Sequence, residues 1–187
     1  EQGVDPDAVL HIRSFLDHDR PFVAGDPERA RQRTRLGHRG VYVDAKGASI
    51  APAAMMQALV EHLGRWAGVV NRHGLAVLEV HNLDPKIANA YFDSTESIHF
   101  DAYHAFSMQY LVEAAEFLTA AAEAGLFPRA ACSRRYPKTL PFARITLNWL
   151  ERRPYVIRPA ALTDLAALVE LEQASTVAAL QASEADL

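Results

Sequence analysis

The chain has a single cysteine, Cys132, which excludes an internal disulfide and suits a reducing compartment. No apolar run approaches the roughly 18 residues that a bilayer span requires, and no charged-then-apolar secretory signal opens the chain. Neither sign of charge is in large excess: a net charge of -4 supplies no basic face for nucleic acid or for an anionic membrane. Glycines stand at 3, 25, 37, 40, 47, 64, 68, 74 and 125, and none forms a Gly-x-Gly loop after an apolar run. Without such a loop, backbone amides cannot approach a nucleotide closely. There is also no initiator Met. With the Ala-rich close this reads as a piece of a longer polypeptide, a processed or trimmed chain being the plainer alternative. The expectation is a soluble, cytoplasmic protein without nucleic-acid or membrane partners.

Among 187 residues, 50% are apolar and 22% charged, enough for one domain with a core, or one domain and part of a second. Residues 9–16 read as a strand, and the Arg-rich, polar stretch 20–38 as a surface loop or lid. Val41-Tyr42-Val43 and Ala48-Ser49-Ile50 flank Asp44-Ala45-Lys46-Gly47 as a small hairpin. Pro52 opens a helix with Met56, Leu59, Val60, Leu63, Trp66, Ala67 and Val70 on one face and Gly74 as its cap. Leu75 to Val80 is a buried strand carrying one Glu. A second long helix is predicted over about 104–124, with Phe106, Tyr110, Leu111, Phe117 and Leu118 in its stripe and Gly125 as its stop. Strands at 130–136 and 142–150 follow, joined by a connection short enough for an antiparallel pair. Alternating strands and helices imply an α/β sheet, largely parallel, with a closing antiparallel pair.

Several residues carry possible chemistry. In open α/β sheets ligands bind outside the carboxyl ends of the strands. Asp17-His18-Asp19-Arg20 occupies such an end: the Asp could orient its neighbouring His or act as a base, against the ordinary reading of a solvated turn. His81 follows the 75–80 strand directly, placed either for metal ligation or simply as a strand end beside Asn82. His99-Phe100-Asp101-Ala102-Tyr103-His104, with Gln109 beyond it, has the composition of a metal cluster. Residues five apart on a regular helix diverge by about 140°, so His104 and Gln109 could not both ligate from one regular helix face; a loop before the helix relaxes that, and Asp101 is equally an N-cap. Trp66 and Phe117 read as core, and Cys132 as a buried strand residue rather than a nucleophile.

The order of elements resembles the second half, strands four to seven, of the Rossmann-like sheet of class I S-adenosylmethionine methyltransferases. The wording is closer still to one group. Ile12-Arg13-Ser14-Phe15-Leu16-Asp17-His18-Asp19-Arg20-Pro21, Val41-Tyr42-Val43-Asp44, Leu59-Val60-Glu61-His62, Leu78-Glu79-Val80-His81 and Phe100-Asp101-Ala102-Tyr103-His104-Ala105-Phe106-Ser107 with Gln109-Tyr110-Leu111-Val112-Glu113 together resemble C-methyltransferase domains of bacterial polyketide synthase loading modules, of the apratoxin and gephyronic acid type. The resemblance implies a mononuclear iron (or manganese) enzyme that methylates malonyl on an acyl carrier protein with S-adenosylmethionine. It implies His81 and Gln109 as metal ligands, His104 as a third ligand or a group behind them, and Asp17 and His18 in the same pocket. Asp17, His18 and His104 are thus the catalytic candidates. The cofactor loop is missing, so the fragment alone is expected to be inactive. In such modules a GNAT-like domain follows, and Tyr155-Val156-Ile157-Arg158-Pro159-Ala160 with Thr163-Asp164 resembles its opening, or else forms a linker strand and docking helix. The expected division is 1–153, a substrate-side half with a hairpin or lid insert at about 20–50, and 154–187. Two other functions fit: a non-catalytic remnant serving as adaptor for a GNAT-like decarboxylase, and an O- or N-methyltransferase of small molecules.

Overall fold

The computed structural model describes residues 3, 5, 8–95, 98, 101–155 and 157–175. Two compact units divide at residue 157/158.

In the first unit, apolar alternation builds the central strands. β1 (His11–Ser14) pairs parallel with β4 (Leu75–Val80), His11 opposite Leu75 and Ser14 opposite Leu78. β1 is shorter than expected because Phe15 takes a left-handed conformation, φ 54°, and turns the chain out of the sheet. β4 pairs antiparallel with β7 (Ile145–Arg152), and the far edge of β7 is shared end to end by β5 (Leu126–Pro128) and β6 (Arg134–Tyr136). The order is β1-β4-β7-β5, with β6 beside β5, a mixed sheet of one parallel pair and antiparallel closing strands. The closing strands thus lie at 126–128, 134–136 and 145–152 rather than 130–136 and 142–150; Cys132 falls in a 3-10 turn, half-buried, and is no strand residue.

The Arg-rich stretch is not a free loop. Asp26 caps the helix α1 (Pro27–Arg33), accepting from the Glu28 and Arg29 amides, with Pro27 at the first helical position. Arg33 is buried between Gln57 and Glu123, which ties this segment to two other helices. β2 (Tyr42–Val43) and β3 (Ser49–Ile50) then form the small hairpin, Tyr42 opposite Ile50. α2 (Pro52–Ala67) ends at Gly68, short of the expected cap. Gly74 serves the turn into β4 instead: at φ +75°, any Cβ there would lie 2.7 Å from the Leu150 carbonyl oxygen.

The predicted 104–124 helix is interrupted. α3 (Pro85–Ala90) follows β4, and α4 (Asp101–Phe106) ends before Met108, whose φ of 61° breaks the helical path. The chain then runs extended beside β4, with the Asn82 amide donating to the Val112 carbonyl. α5 (Ala114–Glu123) starts afresh at the Glu113–Glu116 capping box. The apolar stripe is real, but Tyr110, Leu111 and Val112 are buried as an extended segment. α2 and α5 cover one sheet face, where Met56, Leu59, Leu63, Leu75, Val77, Phe117, Leu126 and Leu150 form the main core. Trp66 packs against its edge.

The second unit contains a 3-10 turn at Leu162–Asp164 and helix α6 (Leu165–Ser175), with Arg158 paired to Asp164 at 2.6 Å. Among its described residues there is no strand.

Candidate active site at the strand ends

Because β1 and β4 are parallel, their carboxyl ends emerge together, and the turn after one meets the end of the other. Glu79, the lone carboxylate of the apolar β4, is 2% exposed and organises that meeting. Its Oε2 accepts from the Asp17 amide at 2.8 Å and the His18 amide at 3.2 Å. Its Oε1 accepts from the Val80 amide at 2.8 Å and lies 2.5 Å from His18 Nδ1. Four donors converge on one buried anion, which satisfies the charge without an arginine. With a carboxylate at Nδ1, that nitrogen carries the proton and Nε2 is the basic nitrogen of the ring.

Asp17 orients a different histidine from the one expected. Its Oδ1 accepts from Arg13 Nε at 2.9 Å and lies 2.8 Å from His62 Nε2, on α2. Burial pushes the Asp17 carboxyl up, but the His62 hydrogen bond and the Arg13 charge outweigh it and hold the group below its ordinary value. Arg20 donates to the Asp17 carbonyl and to Met55 Sδ; burial lowers its pKa to about 10, so it remains a cation. The Tyr110 amide donates to the His18 carbonyl at 2.7 Å and closes the turn.

His81 points into the core. Its Nε2 lies 2.7 Å from Thr146 Oγ1, which also accepts from Asn148, and its ring meets Phe117 edge-on at 5.6 Å. Burial drives its pKa down to about 4, so the ring is neutral. With Asp17, His18, Arg20, Glu79 and Tyr110 it lines a closed space of only about 10 Å³. His104 and Gln109 face a separate, open pocket of about 430 Å³, beside Tyr42, Asn82, Asp101 and Glu113. The two spaces adjoin where the His18 and His104 rings meet edge to face, 6.4 Å apart. Burial, reinforced by the Arg144 charge, lowers the His104 pKa and keeps that ring neutral as well. Asp101, its neighbour at 3.7 Å, is paired to Arg144.

Asp17, His18 and His81 therefore come together, and His104 joins them through His18. His81 and Gln109, expected as a ligand pair, line different spaces. His81 Nε2 meets Thr146 Oγ1, while its Nδ1 is buried without a hydrogen-bond partner. Among the described residues no three His, Cys, Asp or Glu side chains are disposed to hold a metal ion. His99 lies outside the described residues. No glycine stands in the turns that follow β1 and β4, so S-adenosylmethionine finds no glycine-rich cradle there. Sequence reasoning missed Glu79 and His62. A carboxylate inside an apolar strand run was the available signal for the first, since a buried charge must be paired.

A mixed α/β sheet that carries a carboxylate-held imidazole at the carboxyl ends of its parallel strands is compatible with a methyltransferase-like fold. The particular group follows from the sequence match: residues 1–148 fit the family model described as AprA MT2-like domain, and the chain belongs to this family of methyltransferase domains. Membership implies S-adenosylmethionine as methyl donor. No curated protein matches the chain. Among the described residues no helix is long and apolar enough to cross a membrane.

Proposed function

We propose that this chain is the acceptor side of a C-methyltransferase that acts on malonyl held as a thioester on an acyl carrier protein, in a polyketide synthase with a GNAT-like neighbour. The observation that carries the reading is the Glu79–His18 contact at 2.5 Å where two parallel strands end, with the His18 ring against His104 of the open pocket at 6.4 Å. The α-carbon of a malonyl thioester is flanked by two carbonyls and gives up a proton to a well-placed base. His18 Nε2 takes that proton, and Glu79 stabilises the imidazolium that results. His104 and Gln109 form the pocket wall along which the acyl group lies. When bound, S-adenosylmethionine supplies an electrophilic methyl group, which the α-carbon takes up. β1 is the open edge of the sheet, and Ile12 on it is 70% exposed, which leaves room for cofactor-binding strands to add alongside.

The base is tested without the methyl donor. In D₂O, malonyl-carrier protein gains deuterium at its α-carbon, followed by mass spectrometry. The chain is expected to speed this at least about tenfold over buffer, a modest demand on a positioned base. The gain is expected to vanish in His18→Gln. Exchange at the buffer rate, or unchanged exchange in the variant, defeats the reading.

A further inference from the structure

Besides the Tyr42 phenol, the open pocket has four charged or ionisable side chains in its wall: Arg39, Asp101, His104 and Glu113. Three are committed or neutral. Asp101 is paired with Arg144, Glu113 stands at the start of α5 with its amide donating to Glu116 Oε2, and His104 is a neutral ring. Arg39 differs. Its guanidinium is 73% exposed and its ion-pair partner, Asp84 Oδ2, stands 3.8 Å away, too far for a hydrogen bond. The other oxygen of Asp84, Oδ1, accepts from the Lys86 amide at 2.8 Å as the cap of α3.

The backbone fixes Arg39 at the pocket mouth. Gly40 has a φ of +151°, and a Cβ there would collide with the Tyr42 ring. That ring cannot yield, because the Tyr42 hydroxyl donates to the Leu111 carbonyl at 2.9 Å. The chain thus folds tightly over Tyr42 and sets Arg39 and Val41 on the pocket wall. Burial, with Glu116 and Asp84 nearby, raises the Glu113 pKa.

We propose that Arg39 is an anion subsite at the mouth of this pocket, which reads a free carboxylate on the acyl group and selects carboxylated thioesters over uncharged ones. This rests on the acyl-thioester reading above. A planar guanidinium with a loose partner is suited to bidentate capture of a carboxylate, a geometry lysine cannot reproduce.

The probes are the N-acetylcysteamine thioesters of malonate and of acetate, titrated into the chain with amide chemical shifts as readout. Malonyl is expected to bind about tenfold more tightly than acetyl, one charge-assisted contact's worth. Arg39→Gln is expected to bring the two within about twofold, and Arg39→Lys to recover part of the difference. Equal binding of both thioesters by the wild type, or discrimination that survives Arg39→Gln, overturns the subsite while the acyl-thioester reading stands. Failure of both thioesters to bind removes both. Arg39 is on the surface, so thermal melting of the variants should match wild type.

Discussion

The turn after β1 and the wall that carries His104 and Gln109 touch each other, yet they are built in opposite ways. In the turn most polar groups are held: Glu79 takes four donors, Asp17 Oδ1 takes Arg13 and His62, and Arg20 braces the backbone. On the wall, α4 ends at an irregular residue, Phe106 is 81% exposed, and Arg39 hangs on a long ion pair. A base that must stay buried can be kept in place only by fixed charges, so the residues that orient it also hold the fold. A wall that meets substrate is free of that demand. The difference separates residues whose loss unfolds the chain from residues whose loss changes only what it binds.

Glu79→Gln should break the turn with the largest effect. The amide cannot carry the charge, and its NH₂ faces other donors, so about 3–5 kcal/mol of stability is expected to go, measured by urea denaturation. A loss below about 1 kcal/mol means that the turn is no more tightly built than the wall. His81 comes next. Its folded pKa of about 4 lies below the unfolded value near 6.5, so the unfolded chain binds the proton first. The stability this ring allows is fully present above pH 6.5, falls as the pH drops from 6.5 to 4, and is constant below that. The fall amounts to about 3 kcal/mol, and His81→Leu should flatten that part of the stability–pH curve.

Asp17→Asn is a smaller test with a different midpoint. The carboxyl sits below its ordinary value, so its contribution is present above that value and fades as the pH falls through the folded one. About 2 kcal/mol is expected to be lost at pH 7, and the gap between wild type and variant should close in strong acid. A gap that stays constant with pH means that the His62 and Arg13 pairing is not what holds the group.

Local pattern made part of this readable in advance. The run Leu75 to Val80, the α2 stripe and the Pro-led helix starts depend on neighbours in sequence, and they formed as the residues dictate. Glu79 was not readable as a hub because its partners lie about 60 positions away. Alternation did contain the fate of His81: Leu75, Val77 and Glu79 are buried on one face of β4, and His81 is next in that series. The rule that strand ends face ligands pointed it to the pocket, whereas the core beneath α5 received it. The break at Met108 left no apolar signature, since the buried stripe serves an extended segment as well as a helix. The Glu113–Glu116 pair was the sign of a new start.

The wall supplies the smallest expected change, and it bears on the metal. Gln109→Ala should move stability by no more than about 0.5 kcal/mol, as for other half-exposed positions without buried partners. An ion that the folded chain alone binds raises its stability by RT ln(1 + [L]/Kd), about 2.7 kcal/mol at a hundredfold excess over Kd. With His81 spent on Thr146 and Gln109 facing another space, added Fe(II) or Mn(II) is expected to leave the melting temperature where it was. A metal-induced rise that His81→Leu and Gln109→Ala each abolish would show the reverse. It requires His81 to leave Thr146 and the core to open toward the wall.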